Sequence, residues 1–231
     1  MKDFINSDIK DNLQKIRDYR DQYPELLKAH HFTYDLVDEG DGTQNYMVMG
    51  KNPGESGSWE ICDGPTEETS EYDFFIENGE NKNRSAVKWN KAARKYLGDL
   101  GNIIFTNFFF WSSKDSKQSF KNRFGYSFKQ NKHFDFCIKM NQSLIKHYKP
   151  EIIVAPGIPL ADYIPERYGF GSCKDEVSYQ DVRGSTQRLI KLYFYNEIPF
   201  IFTKHYLCEN NTSNGESVPQ NSFNFFECML S

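Results

Sequence analysis

Apolar residues at Ile9, Leu13, Ile16, Tyr19, Leu26 and Leu27, with polar residues between them, recur at helical spacing from Phe4 to Ala29. They predict an amphipathic helix, or two helices broken near Pro24, within an N-terminal helical region of residues 1–40. The short apolar run Asn45 to Gly50 discharges into Gly50-Lys51-Asn52-Pro53-Gly54 and reads as a buried strand ending in a tight loop. Residues 55–80 are polar and acidic without periodicity, which predicts a long loop. Arg84 to Leu97 has an apolar side of Ala86, Val87, Trp89, Ala92, Ala93 and Tyr96, with Gly98 as a helix stop. Asn102 to Trp111 is a second strand. Lys114 to Asn131 is polar and basic with spaced aromatics (Phe120, Phe124, Tyr126, Phe128), and no element is assigned to it. A helix is predicted from about Lys132 to Tyr148, closed by Pro150. Glu151 to Gly157 is a third buried strand and Ile158 to Tyr168 a short helix. Arg188 to Tyr195 alternates as an edge strand should, and Asn196-Glu197 joins it to a last strand, Ile198 to Thr203. Phe223 to Leu230 closes the chain as a helix.

Continuous apolar strands separated by helical segments argue for an α/β fold, a mostly parallel central sheet covered on both faces with an added edge strand. The chain of 231 residues is read as a single domain. Ligands of such sheets bind beyond the carboxyl ends of the strands, so Asn52, Asn107, Gly157 and His205 become the residues of interest.

Charge sharpens this picture. The net charge is only −4, yet Asn81 to Lys149 holds 15 bases against three acids, a net of +12. The rest holds 13 bases against 29 acids, a net of −16, with nine acids and no base between Glu55 and Glu80. The basic stretch is either a solvated face or a strip that meets phosphates and gains from counterion release. No apolar run approaches the roughly 20 residues a membrane span needs, and the start lacks the apolar core of a secretion signal. A cytoplasmic protein with no membrane partner is expected. Cys62, Cys137, Cys173, Cys208 and Cys228 contain no C-x-x-C pair, so separate reduced thiols are expected, with no metal site.

The phosphate loops G-x-G-x-x-G and G-x-x-x-x-G-K-[ST] are absent, as are H-E-x-x-H and G-x-S-x-G, which removes the common nucleotide-binding and hydrolase signatures. What remains is a Gly-x-Asn-Pro-Gly loop, an Asn ending the second strand and a His past the last one. This constellation resembles the uracil-DNA glycosylase superfamily, in particular its single-strand-selective and mismatch-type branches, which carry G-x-N-P-G after their first strand. Here the motif is Gly50 to Gly54, followed by Thr106-Asn107 in the second strand, Lys149 to Gly157 around the third, and Phe202-Thr203-Lys204-His205 at the last. The family's last motif runs H-P-S, whereas this chain has His205-Tyr206-Leu207. The four cysteines that hold an iron–sulfur cluster in some branches have no counterpart, so no cofactor is implied.

The resemblance implies a three-layer α/β/α sandwich and a monofunctional glycosylase that hydrolyses the N-glycosidic bond of uracil, or an altered pyrimidine, flipped from DNA. Such a reaction leaves negative charge on the departing base, so it needs preorganised donors there and a positioned water at the sugar. By resemblance His205 donates to a base carbonyl and Asn52 positions the water. Gly50, Pro53 and Gly54 shape the base pocket, and Asn107, with a donor and an acceptor on one amide, reads the base edge. Trp59 or the pair Phe74 and Phe75 would stack the base, with Trp59 preferred. Lys51, Lys114, Lys117 and Lys204 would meet DNA phosphates, and Leu207 would fill the vacated stack. Each residue also has a plainer reading: Asn52 closing a loop, Asn107 tying strands together, His205 as a structural histidine, and the aromatic residues as core. The acidic segment would repel a phosphate backbone. It is a lid over the basic strip, a recognition element for hypermodified cytosines of foreign DNA, or the working surface of a non-catalytic nucleotide- or protein-binding module on the same fold. The expected partner is DNA and the expected state a monomer.

Overall fold

The computed structural model describes residues 7–29, 32, 34–38, 42–53, 101–113, 117–180 and 186–203. Their elements are α1 (Ser7–Asp21), β1 (Leu36–Asp38), β2 (Gln44–Gly50), β3 (Gly101–Asn107), α2 (Lys117–Phe124), α3 (Phe134–Tyr148), β4 (Ile152–Pro156), α4 (Ile164–Tyr168), β5 (Asp175–Gln180), β6 (Thr186–Tyr195) and β7 (Ile198–Thr203), with 3-10 turns at Leu26–Lys28, Phe128–Gln130 and Ile158–Asp162. The fold is α/β, and the strand order is β1-β3-β2-β4-β7-β6-β5. Two compact units divide the chain. One contains the described residues up to 38, 52–53 and 104–149; the other contains 42–51, 101–103 and 150–203, so β3 runs through both.

In the second unit β2, β4 and β7 pair in parallel, with Met47 opposite Ile153 and Ile153 opposite Phe200. These strands carry continuous buried runs, Tyr46 to Met49, all of β4, and Phe200 to Thr203. A strand buried on both faces reads in this way, whereas a half-solvated one alternates. Tyr168 of α4 covers this sheet, its hydroxyl 3.7 Å from Met49 Sδ, and Phe170 stacks within 4.8 Å of Phe200. β3 approaches β2 closely because residue 101 is glycine: a Cβ there would lie 2.0 Å from the Gln44 carbonyl oxygen.

The parallel centre agrees with the sequence reading, but the edge does not. β6 pairs antiparallel with β7 on one side and with β5 on the other, so β5, not β6, is the outer strand. Its sequence DEVSYQ hides it, because an edge strand with exposed Asp175, Glu176 and Ser178 needs little apolar surface and is protected by charge.

In the first unit α1 packs on α3. The Asn12 amide donates to Ser143 Oγ at 2.9 Å, and the rings of Tyr19 and Phe136 stack at 3.7 Å. The predicted break near Pro24 is present, separating α1 from the turn at Leu26. The stretch 114–131, left without an element, contains α2 and a 3-10 turn. Phe120, Phe124 and Phe128 fall four residues apart, and all three are buried against Phe109. α3 starts at Phe134 rather than Lys132 because the Asn131 side chain accepts a hydrogen bond from the His133 amide at 2.8 Å, capturing the backbone in a local turn. The predicted helix over 158–168 is interrupted at Tyr163 (φ −149°), and both pieces carry proline in their first turn. The predicted helices at 84–97 and 223–230 lie outside the described residues.

Candidate functional site

The loop after β2 is clasped by a segment that the sequence reading passed over. Asn52 Nδ2 donates to the Pro53 carbonyl oxygen at 3.0 Å and to Ser113 Oγ at 2.9 Å, while the Ser113 amide donates to the same Pro53 oxygen at 3.1 Å. Pro53 and Ser113 are buried and Asn52 is half-buried. Both contacts are made by the Asn52 amide nitrogen, which fixes the plane of the group. Its carbonyl oxygen, Oδ1, takes no hydrogen bond among the described residues. Asn52 therefore presents a fixed acceptor with an open lone pair. Gly50, half-buried, ends β2, and Lys51 precedes Asn52.

Asn107 ends β3 and is buried. Where the strand stops, Asn141, fully buried inside α3, meets its carbonyl: Asn141 Nδ2 donates to the Asn107 oxygen at 2.9 Å. On the other side of the same amide, Thr106 Oγ1 donates to Asn141 Oδ1 at 3.1 Å. One helix side chain thus secures the last two residues of the strand. A polar residue on the apolar side of a predicted helix was the available signal for Asn141. Ser113 had none, since its contact with Asn52 spans 61 residues.

In the second unit β4 and β7 end side by side. The Gly157 amide donates to the Thr203 carbonyl at 2.7 Å. Gly157 has φ +124°, and a Cβ there would lie 3.2 Å from Leu160 Cδ1, so only glycine makes this exit without strain. Thr203 Oγ1 is buried with no hydrogen-bond partner among the described residues. Lys204, His205 and Leu207 follow it in sequence. They lie outside the described residues, as do Gly54, Trp59, Phe74, Phe75 and Lys114. Lys117 is the first residue of α2.

Strand order adds a geometric argument. β3, which follows β2 in the chain, lies on one side of it, and β4 lies on the other. Connections that leave neighbouring strands in opposite directions open a crevice at their carboxyl ends, the usual ligand position in such sheets. β2 ends at Gly50, the first residue of the G-x-N-P-G sequence, and β4 ends at Pro156.

A buried ionisable cluster was not anticipated. His133, fully buried, pairs through Nδ1 with the Tyr19 hydroxyl at 3.0 Å and through Nε2 with Glu25 at 3.3 Å, and Lys132 also reaches Glu25 at 2.6 Å. Burial pushes the His133 pKa down, with Glu25 opposing the shift. Burial alone would raise Glu25, but hydrogen bonds from Lys132 and the backbone hold it below its usual range. An imidazole that stays neutral in this way ties α3 to the segment after α1. Cys137 is buried and Cys173 exposed, both as free thiols, and burial pushes the Cys137 thiol up.

Among the described residues no group of three or more His, Cys, Asp or Glu side chains could hold a metal ion, and no helix is long and apolar enough to cross a membrane. The chain matches no model of a known protein family and no curated protein.

Proposed function

We propose that the chain is a monofunctional DNA glycosylase that hydrolyses the N-glycosidic bond of uracil, or of an altered pyrimidine, flipped out of DNA. The observation that carries this reading is the state of Asn52. Its amide nitrogen is held by the Pro53 carbonyl and Ser113 Oγ, while its oxygen takes no hydrogen bond among the described residues, in the loop that follows β2. A water that donates a hydrogen to Oδ1 is held with a lone pair directed away from the amide, the orientation needed to attack an anomeric carbon. Asn is not a base at neutral pH, so this role is positioning. Charge building on the sugar supplies the electrophilicity, and the proton leaves once the new C–O bond has formed.

The departing base carries the opposite charge. In this reading His205, two residues beyond the end of β7 in sequence, donates to a base carbonyl, and Asn107 pairs with the base edge. A preorganised donor in a dry site stabilises the leaving anion far more than one in water. Ser113 and Asn141 are positioning residues, the first holding Asn52 and the second holding the end of β3. The ordered set of motifs and the parallel pairing of β2, β4 and β7 support a three-layer sandwich of the uracil-DNA glycosylase kind; a cytoplasmic monomer acting on DNA is part of the same proposal.

The test is direct. Purified protein is incubated with single- and double-stranded oligonucleotides carrying uracil or bulky modified cytosines, and abasic sites are then cleaved with alkali. Scission at one base names the substrate. Absence of scission on every substrate refutes the proposal.

A further inference from the structure

We infer that the outward lysines of α3, Lys139 and Lys146, with Lys132 just before the helix and Lys149 just beyond it, form a surface along which a nucleic-acid phosphate backbone lies. The inference rests on the nucleic-acid reading above and assigns to it a contact surface separate from the loop after β2. Lys139 and Lys146 lie seven residues apart within α3, a spacing that drifts only about 20° around a helix, so they share one face. All four lysines are exposed, while Phe134, Cys137, Ile138, Asn141, Leu144 and Ile145 bury the opposite side of the helix.

The row differs from an ordinary solvated face in its pairing. Such faces intersperse both signs and form ion pairs three or four residues apart. Here Lys132 pairs with Glu25, but Lys139, Lys146 and Lys149 have no carboxylate partner among the described residues. The single acid of α3, Asp135, sits in the first turn, where the helix dipole favours it. From Lys139 to Lys146 the helix rises about 10.5 Å, so the cations are spread along a line rather than gathered at a point. A line of unpaired cations complements a linear polyanion, which releases a condensed counterion for each phosphate it gives up to a lysine.

The experiment measures binding of a labelled oligonucleotide by fluorescence anisotropy between about 50 and 300 mM salt. It compares the wild-type chain, K139Q/K146Q/K149Q and the charge-preserving K139R/K146R/K149R. Loss of three phosphate contacts should lower the slope of log K against log salt by about 2–3, or roughly eightfold in affinity per lysine at 0.1 M salt. The Arg variant should keep the wild-type slope. A Gln variant that binds with the wild-type slope overturns the assignment, as does an Arg variant that loses affinity equally. Base release by the wild-type chain in the same buffers reads the chemistry separately. Release with a row-independent slope removes the surface alone, whereas row-dependent binding without release keeps the surface and removes the glycosylase reading.

Discussion

Replacing Asn141 with leucine should be among the costlier single changes in the first unit. The side chain is fully buried and makes two hydrogen bonds, at 3.1 Å from Thr106 Oγ1 and at 2.9 Å to the Asn107 carbonyl. Leucine is close in volume, so the packing term is small, but it removes both hydrogen bonds. A lost bond costs about 0.5–1.5 kcal/mol net and a buried group left unsatisfied about 1–3 kcal/mol, which gives about 1.5–4.5 kcal/mol for N141L. Against a typical total stability of about 5–15 kcal/mol this is a large fraction. Equilibrium urea unfolding measures it. The double variant T106V/N141L removes both members of one pair, so its loss should fall short of the sum of the single losses by about 1 kcal/mol or more. A loss below about 0.5 kcal/mol for N141L, or strict additivity in the double variant, would refute the claim that this amide secures the end of β3.

Ser113→Ala removes one of the two anchors of the Asn52 amide and should slow base release roughly fivefold, the equivalent of about 1 kcal/mol of lost positioning, with DNA affinity retained; single-turnover kinetics read the two apart. Asn196 and Glu197, which join β6 to β7, have φ of 48° and 70°, so Glu197→Gly should raise stability by about 0.5–1 kcal/mol in a thermal melt, and unchanged or lower stability would contradict the turn geometry. His133 has its folded pKa held below the unfolded value by burial, so the unfolded chain takes up the proton first as pH falls. Stability should therefore decline as pH drops below about 6.5, the imidazole's ordinary value, and His133→Gln should flatten that part of a urea-midpoint profile; parallel profiles would exclude His133 as the source.

The strands that frame the candidate site were legible because they are buried on both faces. The runs at Tyr46 to Met49, Ile152 to Pro156 and Phe200 to Phe202 leave no strongly polar position to blur the pattern. β5 was not legible, since a solvent-facing edge strand such as DEVSYQ has no apolar period to detect. α2 and the turn after it were legible in principle through the four-residue spacing of Phe120, Phe124 and Phe128, but Lys121 and Arg123 between them give the stretch the look of a charged surface strip. Asn52 stood out through its motif, while the groups that orient it did not. Ser113 lies 61 residues away and Asn141 contacts a strand 34 residues earlier, and such pairings arise from tertiary packing that no local pattern encodes. His133 likewise shows nothing in sequence of its Tyr19 and Glu25 contacts or of the burial that lowers its pKa.

The central claim is that Asn52 positions the water that attacks the sugar. Its most direct test compares base release and DNA affinity for the wild-type chain and Asn52→Ala on the oligonucleotide that the wild-type chain cleaves. Removing the open Oδ1 acceptor should lower single-turnover release by at least about a hundredfold while leaving the dissociation constant within about twofold, because the lost interaction acts in the transition state and not in binding. Release by Asn52→Ala at the wild-type rate would contradict the account.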